Sequence, residues 1–202
     1  MHATEIHCPG CGRTYSAADR FALGRTRVCA CGTRVGLPAH VEWKDGDAPR
    51  FFADSMLAGL ARWLRVLGYD AAHEAAIDDA ELVRRAAAER RLVLTRDRGL
   101  AEEWWTDGVL LLRAERPLEQ LREVADATGI GPAAPFSRCT RCNLPLGEPR
   151  ADAVASSVPE EVRAGGRPLR GCAGCAGCGR VYWEGSHTER MRRAVERALG
   201  GG

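Results

Sequence analysis

The sequence predicts an α/β fold with a mainly parallel sheet, flanked at both ends by small cysteine-rich zinc modules. Nine cysteines of the 202-residue chain fall into two clusters near its ends, and residues 51–136 contain none. In that middle stretch, short runs of Leu, Val and Phe alternate with amphipathic helical segments, the pattern of a parallel sheet covered by helices. A hydrophobic content of 45% is enough to build a core for such a domain.

The central domain, delimited at residues 51–135, has elements that local signals define in order. Leucines at helical spacing from Leu57 to Leu67 indicate a first helix, which Gly68 ends. Acidic residues open the second helix and Arg90 and Arg91 close it, as the helix dipole favours. Pro117 begins the last helix and Gly129 stops it. The predicted elements are a strand at 51–53, helices at 56–67 and from 79, a strand at 92–95, a short helix at 100–105, a strand at 109–112 and a helix at 117–128.

The remaining segments form the flanks of this domain. Residues 1–42 are predicted to be a zinc ribbon, and the polar, turn-forming residues 43–50 a linker. A second linker is expected at 131–135, followed by a second ribbon at 136–187. The stretch 144–171 inside that ribbon is rich in Gly, Pro, Ala and Arg and is expected to be a loop or long insertion. Residues 188–202 form a basic helical tail.

Three aspartates stand where a parallel sheet places its ligands, outside the carboxyl ends of the strands. Asp54 follows the first strand, Asp97 follows the strand at 92–95, and Asp79 begins a helix that can reach the same edge. Converging carboxylates repel one another unless a cation lies between them, and hard oxygen ligands select Mg²⁺ or Mn²⁺. Such ions support phosphodiester hydrolysis. Each residue also has a structural alternative, as a helix cap, a first-turn acid or a turn residue.

Four arginines near these acids are candidate phosphate ligands: Arg62, Arg65, Arg96 and Arg98. For Arg62 and Arg65, a solvated helix face is the alternative. Arginine accounts for 28 of the 29 basic residues, which suits an RNA partner because its planar fork grips phosphate. A GC-rich genome explains the same bias, and a net charge of +2 is too small to argue for nucleic acid.

The second cysteine cluster has the spacing of a structural zinc site. Cys139-x-x-Cys142 and Cys175-x-x-Cys178 are two knuckles separated by 32 residues, and four thiolates close a tetrahedral zinc without leaving a position for water. Cys172 also has C-x-x-C spacing to Cys175 and is an alternative ligand. The turn that Cys178 and Gly179 form favours Cys175 and Cys178.

The first cluster predicts a second zinc site with a shortened knuckle. Its ligands are Cys8, Cys11, Cys29 and Cys31, with seventeen residues between the pairs. A C-x-C pair fits a tetrahedral metal site less well than a C-x-x-C pair, so His7 or His40 is an alternative ligand. A redox or disulfide role for these cysteines is another alternative.

Five stretches in order resemble the PIN-like Mut-seven C-terminal RNase family: FADSMLAGLARWLRVLGYD at 52–70, DAELV at 79–83, LTRDR at 94–98, RCTRCN at 138–143 and CAGCGRVYWEGSH at 175–187. The resemblance implies a three-layer PIN-like domain, a metal-dependent RNase site at Asp54, Asp79 and Asp97, and a zinc ribbon behind it. It also favours Cys175 and Cys178 as ligands. The N-terminal module lies outside the resemblance. A fourth acid is expected in this family, and Asp78, Glu81, Glu102 and Asp107 are the candidates.

We therefore expect a metal-dependent ribonuclease with RNA as its partner, structural zinc, and Mg²⁺ or Mn²⁺ as the catalytic ion. The alternative is a non-catalytic adaptor in which the ribbons bind RNA or the ribosome. A single-domain toxin nuclease is disfavoured by the added cysteine modules. A cytoplasmic location is expected, since the chain has no apolar run of about 18 residues and its N-terminus does not resemble a secretory signal.

Overall fold

A computed structural model describes residues 5–16, 26–36, 48–103, 108–171 and 178–200. The strands are β1 (Glu5–His7), β2 (Thr14–Ser16), β3 (Thr26–Val28), β4 (Arg34–Gly36), β5 (Arg50–Ala53), β6 (Asp70–His73), β7 (Leu92–Thr95), β8 (Val109–Leu111), β9 (Leu169–Gly171) and β10 (Val181–Trp183). The helices are α1 (Ala58–Val66), α2 (Asp79–Ala88), α3 (Arg98–Glu103), α4 (Pro117–Thr128), α5 (Ala151–Ser157), α6 (Glu160–Ala164) and α7 (Ser186–Leu199), with a 3-10 turn at Ser55–Leu57 before α1.

A four-stranded sheet in the order β6-β5-β7-β8 forms the centre of the fold. β5 runs parallel to β7, with Phe52 opposite Val93, and β7 runs parallel to β8. All four residues of β7 are buried, as are Phe51 and Phe52 of β5. Strands covered on both faces have continuous apolar runs of this kind. The predicted α/β class with a mainly parallel sheet is confirmed.

The best-defined predicted elements lie where local signals place them. β7 and α4 have the predicted bounds, and α4 ends at Gly129 with φ of +70°. The first helix differs at its start, because a 3-10 turn precedes α1. α3 begins at Arg98, two residues earlier than predicted. The predicted end of that helix at Trp105 lies outside the described residues.

Two regions differ from the sequence-based expectation. β6 was not predicted, because its sequence DAAH has no β-branched or aromatic residue and only Ala71 of the strand is fully buried. The stretch 144–171 was expected to be a loop or insertion, and it contains α5, α6 and β9. The two helices are only seven and five residues long, too short to give a periodic apolar pattern.

The chain divides into two compact units, residues 1–58 with 73–113 and residues 59–72 with 114–202. We call them the first and the second unit. In the second unit, α4 packs against α7, whose Val195 is 7% exposed. In the described part of the chain, no helix combines the length and the apolarity that crossing a membrane requires.

The segment at 131–135, predicted as a linker, is hydrogen-bonded to the end of α1 in the second unit. The amides of Ala133 and Ala134 both donate to the carbonyl of Leu67 at 3.1 Å. Gly68 makes this approach possible, because it has φ of +98° and a Cβ there would lie 2.3 Å from the Ala134 carbonyl oxygen. The segment is therefore part of the packed structure of this unit.

Candidate functional site

Asp54 is a buried carboxylate directly after β5. It is 5% exposed, and its backbone amide donates to the carbonyl of Leu94 on β7 at 2.9 Å. Its Oδ1 accepts hydrogen bonds from the amide of Ser55 at 2.5 Å and the hydroxyl of Ser55 at 3.2 Å. Asp54 thus caps the 3-10 turn that follows. The role of helix cap, which the sequence offered as an alternative for this residue, is therefore observed.

The hydroxyl of Thr95 links Asp54 to Asp97. It donates to Oδ2 of Asp54 at 2.6 Å and accepts from the amide of Asp97 at 2.9 Å. Thr95 is fully buried at the end of β7, so this link is rigid. Oδ1 of Asp97 accepts from the amide of Gly99 at 2.7 Å and so begins α3. The structure therefore brings Asp54 and Asp97 to the same edge of the sheet.

Asp79 is exposed at the first position of α2. Asp78, the residue before it, caps this helix by accepting from the amide of Glu81 at 3.0 Å. Over the described ranges, the only groups of three or more candidate metal ligands whose ligand atoms all lie within 4.8 Å are made of cysteines. Asp54, Asp79 and Asp97 are not gathered that closely, and their joint role remains a prediction.

The four candidates for a fourth acid have different surroundings. Asp78 is used as a helix cap. Glu81 forms an ion pair with Arg84 at 2.6 Å, and the hydrogen bond from that guanidinium lowers the pKa of the carboxyl. Glu102 lines a cavity with Arg96 and Arg98, while Asp107 lies outside the described residues.

The predicted phosphate-binding arginines fall into two environments. Arg96 and Arg98 line a cavity of about 480 Å³ in the first unit, together with Glu102, Leu111, Leu112 and Arg113. Arg62 is exposed on α1 in the second unit. Arg65 is 6% exposed in that unit, and its role as a phosphate ligand remains untested.

The guanidinium of Arg65 is occupied by backbone carbonyls. Nε donates to Ala71 at 2.8 Å, and Nη1 donates to Thr140 at 3.1 Å and to Arg141 at 2.9 Å. Burial lowers the pKa of Arg65, while the nearby cysteine thiolates act in the opposite direction. The side chain joins α1 to the Cys139–Cys142 knuckle inside the second unit.

The sequence patterns did not single out three further residues at the sheet edge where Asp54 and Asp97 lie. Thr95 and His73 are the last residues of β7 and β6, and Arg113 follows β8 by two residues. Nε2 of His73 lies 3.0 Å from the carbonyl of Ser55, next to Asp54, and it must carry a proton there because a carbonyl only accepts. Position at a strand end was the signal that could have found Thr95 and Arg113, because it had already singled out Asp54 and Asp97.

The N-terminal cysteines form a group of metal-ligand geometry. The four sulfur atoms of Cys8, Cys11, Cys29 and Cys31 all lie within 4.8 Å of one another. Cys8 and Cys31 have their sulfur atoms 3.5 Å apart, and Cys11 and Cys29 3.6 Å apart. A tetrahedral zinc with bonds of about 2.3 Å requires a separation of about 3.8 Å, so the donor set fits zinc.

Hydrogen bonds favour the thiolate form that binds metal at Cys29 and Cys31. At Cys11 a backbone hydrogen bond lowers the pKa, but hydrogen bonds with the other three sulfur atoms outweigh it and raise the value to about 11. The hydroxyl of Thr33 lies 3.3 Å from the sulfur of Cys31, and hydrogen bonds from that hydroxyl and from the Thr33 backbone lower the pKa of Cys31 to about 6. The backbone of Cys31 and the hydroxyl of Tyr15 lower the pKa of Cys29. The shortened C-x-C knuckle therefore has the ionisation that a zinc site needs.

The C-terminal cysteines form the second group. Cys139, Cys142 and Cys178 have their sulfur atoms within 4.8 Å of one another, and Cys139 and Cys178 are 3.5 Å apart. Burial raises the pKa of Cys139, but hydrogen bonds from Tyr182 and from the Cys142 backbone outweigh it and bring the value to about 6. Cys175 and Cys172, the two candidates for the fourth ligand, lie outside the described residues.

The residue that follows the second cysteine of each knuckle has a positive φ. Glycine occupies three of these positions, with φ of +72° at Gly12, +84° at Gly32 and +54° at Gly179. Asn143 occupies the fourth, with φ of +66°. Its Oδ1 accepts from the amide of Ala71 at 3.0 Å, and its Nδ2 donates to Asp70 at 2.6 Å. Asparagine tolerates this conformation and adds two bonds to β6.

A tyrosine supports each ribbon in the same way. The segments CPGCGRTY at 8–15 and CAGCGRVY at 175–182 place a tyrosine four residues after a knuckle. Tyr15 donates to the sulfur of Cys29 at 2.9 Å, and the hydroxyl of Tyr182 lies 3.3 Å from the sulfur of Cys139. In both ribbons this cysteine is the first of the opposite knuckle, so the two modules are built to one plan.

Comparison with known proteins identifies the family of the chain. The family model described as the Mut7-C RNAse domain matches residues 49–195, which include the sheet, its acids and the C-terminal ribbon. The N-terminal ribbon precedes the match. No curated protein and no solved structure matches the chain at a significant level. The chain belongs to the Mut7-C RNAse domain family.

Proposed function

We propose that this protein is a metal-dependent ribonuclease that hydrolyses RNA phosphodiester bonds at the edge of the sheet where Asp54 and Asp97 lie. Family membership supports a ribonuclease-type function. The observation that carries the choice of site is the burial of Asp54 among neutral donors. At 5% exposure, its carboxylate accepts hydrogen bonds from Ser55 and Thr95.

A buried carboxylate needs a compensating charge. In the described part of the chain, the groups that hydrogen-bond to Asp54 are all uncharged. Its two oxygens have about four lone-pair positions, and three hydrogen bonds leave room for a further partner. A hard divalent cation such as Mg²⁺ or Mn²⁺ suits this oxygen-rich edge.

In the proposed mechanism, Asp54 and Asp97 would hold the divalent ion, with Asp79 as a further candidate. A bound ion would supply Lewis-acid chemistry toward the phosphate and would lower the pKa of a water molecule. Thr95 keeps Asp54 in a fixed orientation, since its hydroxyl is itself held by the amide of Asp97. Arg96 and Arg98 bind phosphates that flank the scissile bond, and Glu102 is the fourth acid that we favour because it lines their cavity.

The test is cleavage of an end-labelled single-stranded RNA by the zinc-loaded full chain with Mn²⁺ or Mg²⁺. Asp54→Asn and Asp97→Asn should each lower the cleavage rate by about 10³-fold, since a metal site contributes several kcal/mol to the transition state. Asp126→Asn, the same change at an exposed position on α4, is the matched control. Asp79→Asn and Glu102→Gln then rank the remaining acids.

The alternative is a non-catalytic adaptor that binds RNA through its ribbons. RNA binding that survives Asp54→Asn and Asp97→Asn, with no cleavage under either metal, would favour it. Equal cleavage by the wild type and the Asp54→Asn variant would rule out the proposed site.

A further inference from the structure

The last residue of β6, His73, contacts the turn that follows Asp54. Its Nε2 lies 3.0 Å from the carbonyl oxygen of Ser55, the residue directly after Asp54. β6 lies beside β5 in the sheet, and this contact joins the end of β6 to the turn that leaves β5. The two residues are 18 positions apart in the chain, so the contact depends on the fold.

The orientation of Asp54 depends on Ser55. The amide and the hydroxyl of Ser55 both donate to Oδ1 of Asp54, at 2.5 and 3.2 Å. Of the three hydrogen bonds that the described residues make to this carboxylate, Ser55 therefore supplies two, and Thr95 supplies the third. A movement of Ser55 turns the oxygen atoms of Asp54 relative to the sheet edge.

Ser55 begins a turn that needs support from outside. The 3-10 turn has only three residues, Ser55–Leu57, and the hydrogen bonds of such turns have poorer geometry than those of an α-helix. Its end is anchored by the buried side chain of Leu57, whose amide donates to the carbonyl of Asp54 at 2.8 Å. Ser55 is only half-buried, and the donor that reaches its carbonyl from another element is His73.

The ring of His73 has one engaged nitrogen. Nε2 must carry a proton, because the carbonyl oxygen of Ser55 only accepts. Among the described residues, Nδ1 has no hydrogen-bond partner. The contact with Ser55 therefore depends on one identified atom of the ring, and a ring without a proton on Nε2 could not make it.

The segment that carries His73 is anchored by Arg85 of α2. Nη1 of Arg85 forms an ion pair with Glu74, the residue after His73, at 2.6 Å. The same guanidinium lies over the ring of Phe52 on β5, 5.1 Å from its centre. Arg85 thus ties the chain after β6 to the strand that leads into Asp54, which limits how far the ring of His73 can move.

We propose that His73 is a positioning residue for the ribonuclease site. Through Nε2 it holds the carbonyl of Ser55, and Ser55 in turn holds Asp54 in the orientation that binds the divalent ion. The inference rests on the proposed function, because it assigns a role at the same sheet edge. Loss of His73 should weaken the binding of the ion and leave the binding of RNA unchanged.

The test is Mn²⁺ binding to the zinc-loaded full chain, measured by the loss of the electron paramagnetic resonance signal of the free ion. Asp54→Asn identifies the binding that belongs to the site. His73→Leu should weaken that binding about tenfold, a usual cost of losing a group that supports a metal ligand. In cleavage of a single-stranded RNA it should raise the Mn²⁺ concentration for half-maximal rate by a similar factor, with the KM for RNA unchanged at saturating Mn²⁺.

Two amide variants identify the ring nitrogen that acts. The side-chain NH₂ of glutamine can reach the position of Nε2, whereas that of asparagine reaches only the position of Nδ1. His73→Gln should therefore restore most of the Mn²⁺ affinity, and His73→Asn should bind as weakly as His73→Leu.

Tyr69→Phe is the matched control for a loss of structure alone. Its hydroxyl also donates to a backbone carbonyl, that of Gly131 in the second unit, at 2.8 Å. The variant should lose thermal stability as His73→Leu does and keep the Mn²⁺ affinity of the wild type.

A measurement without Mn²⁺ checks the contact itself. In a chain labelled with ¹⁵N-histidine, the long-range ¹H–¹⁵N spectrum reports which ring nitrogen carries a proton, and the signal lost in His73→Gln is that of His73. Nε2 should be protonated. A ring protonated on Nδ1 alone overturns the inference.

The positioning role is also refuted if His73→Leu binds Mn²⁺ with wild-type affinity, or if His73→Gln binds it no better than His73→Asn. Cleavage decides the proposed function separately. A wild type that binds Mn²⁺ through Asp54 and never cleaves RNA refutes the ribonuclease and leaves the positioning role intact. A wild type without any Mn²⁺ binding that Asp54→Asn removes refutes both.

Discussion

The two ribbons of this protein share one metal-site design and differ in what the site is attached to. Both have knuckles that end in a residue of positive φ, and both have a tyrosine hydroxyl at the first cysteine of the opposite knuckle. The N-terminal ribbon has a small core of its own, in which Cys8, Cys29 and Val35 are buried and Ile6 and Tyr15 pack against them. The cysteines themselves are most of that core.

The N-terminal ribbon is joined to α3 by a hydrogen bond from Arg34 of β4 to the carbonyl of Glu102. The C-terminal ribbon is hydrogen-bonded to the elements around it by several side-chain donors. Arg65 of α1 reaches the carbonyls of Thr140 and Arg141, and Arg138 donates to the carbonyls of Gly68 and Asn143 at 3.2 and 2.7 Å. Free energy gained when this site binds zinc therefore also stabilises α1 and β6 within the second unit. Cysteine spacing therefore indicates a zinc site and gives no information about how much of the fold depends on it.

The largest effect should come from removing one ligand in each ribbon. Cys139→Ser should abolish zinc binding at its site and unfold much of the second unit, because structural zinc contributes about 10 kcal/mol or more in finger peptides. Cys8→Ser should lose one zinc and leave the second unit folded. Zinc content and thermal unfolding by circular dichroism check both. Equal loss of structure in the two variants would contradict the comparison.

A smaller effect is expected at Arg65, whose guanidinium donates to three backbone carbonyls of the second unit. Arg65→Met removes the donor to three carbonyls and should lower the free energy of unfolding by about 3 kcal/mol. Arg62→Met, an exposed position on the same helix, should change it by less than about 0.5 kcal/mol. Urea denaturation of the zinc-loaded protein measures the difference. Similar values for the two variants would show that Arg65 does not hold the knuckle.

The smallest effect should appear at the tyrosines, where the ribbons are alike. Tyr15→Phe and Tyr182→Phe should each weaken zinc binding at their own site by about tenfold, a usual cost of losing a group that supports a ligand. Tyr182 helps to keep the pKa of Cys139 at about 6. Without it that pKa rises, protons compete better with zinc, and the pH at which half the zinc is released should rise. Competition with a chelator between pH 5 and 8 measures both.

Local signals predicted the parts of the fold that local energetics determine. β7 is a run of buried apolar residues, and α4 has a proline at its start and a glycine after its end. β6 was missed because tertiary pairing, with Ala71 and Asp70 bound by Asn143, holds a sequence with little strand preference. The Cys175 ligand remains a prediction on sequence grounds.

The sequence predicted which strand ends carry the acids of the candidate site, but not the hydrogen bonds that hold those acids. Strand ends identified Asp54 and Asp97, and the resemblance to the family gave them a chemistry. Thr95 could not be assigned a role, because its value depends on the register that places its hydroxyl between Asp54 and the amide of Asp97. Arg65 was expected on a solvated face or at a phosphate, since no local pattern reveals that two of its partners are carbonyls 75 and 76 residues away.

Asn143 combines the turn of a metal knuckle with two hydrogen bonds to β6. A glycine would satisfy the turn alone, and an aspartate could accept from Ala71 but could not donate to the carboxylate of Asp70. Only an amide meets the three demands of backbone conformation, acceptor and donor at once. The residue after the second cysteine therefore differs with the role of the knuckle. It is glycine at positions 12, 32 and 179, where the backbone turn is the requirement, and asparagine at position 143, where the side chain also binds β6.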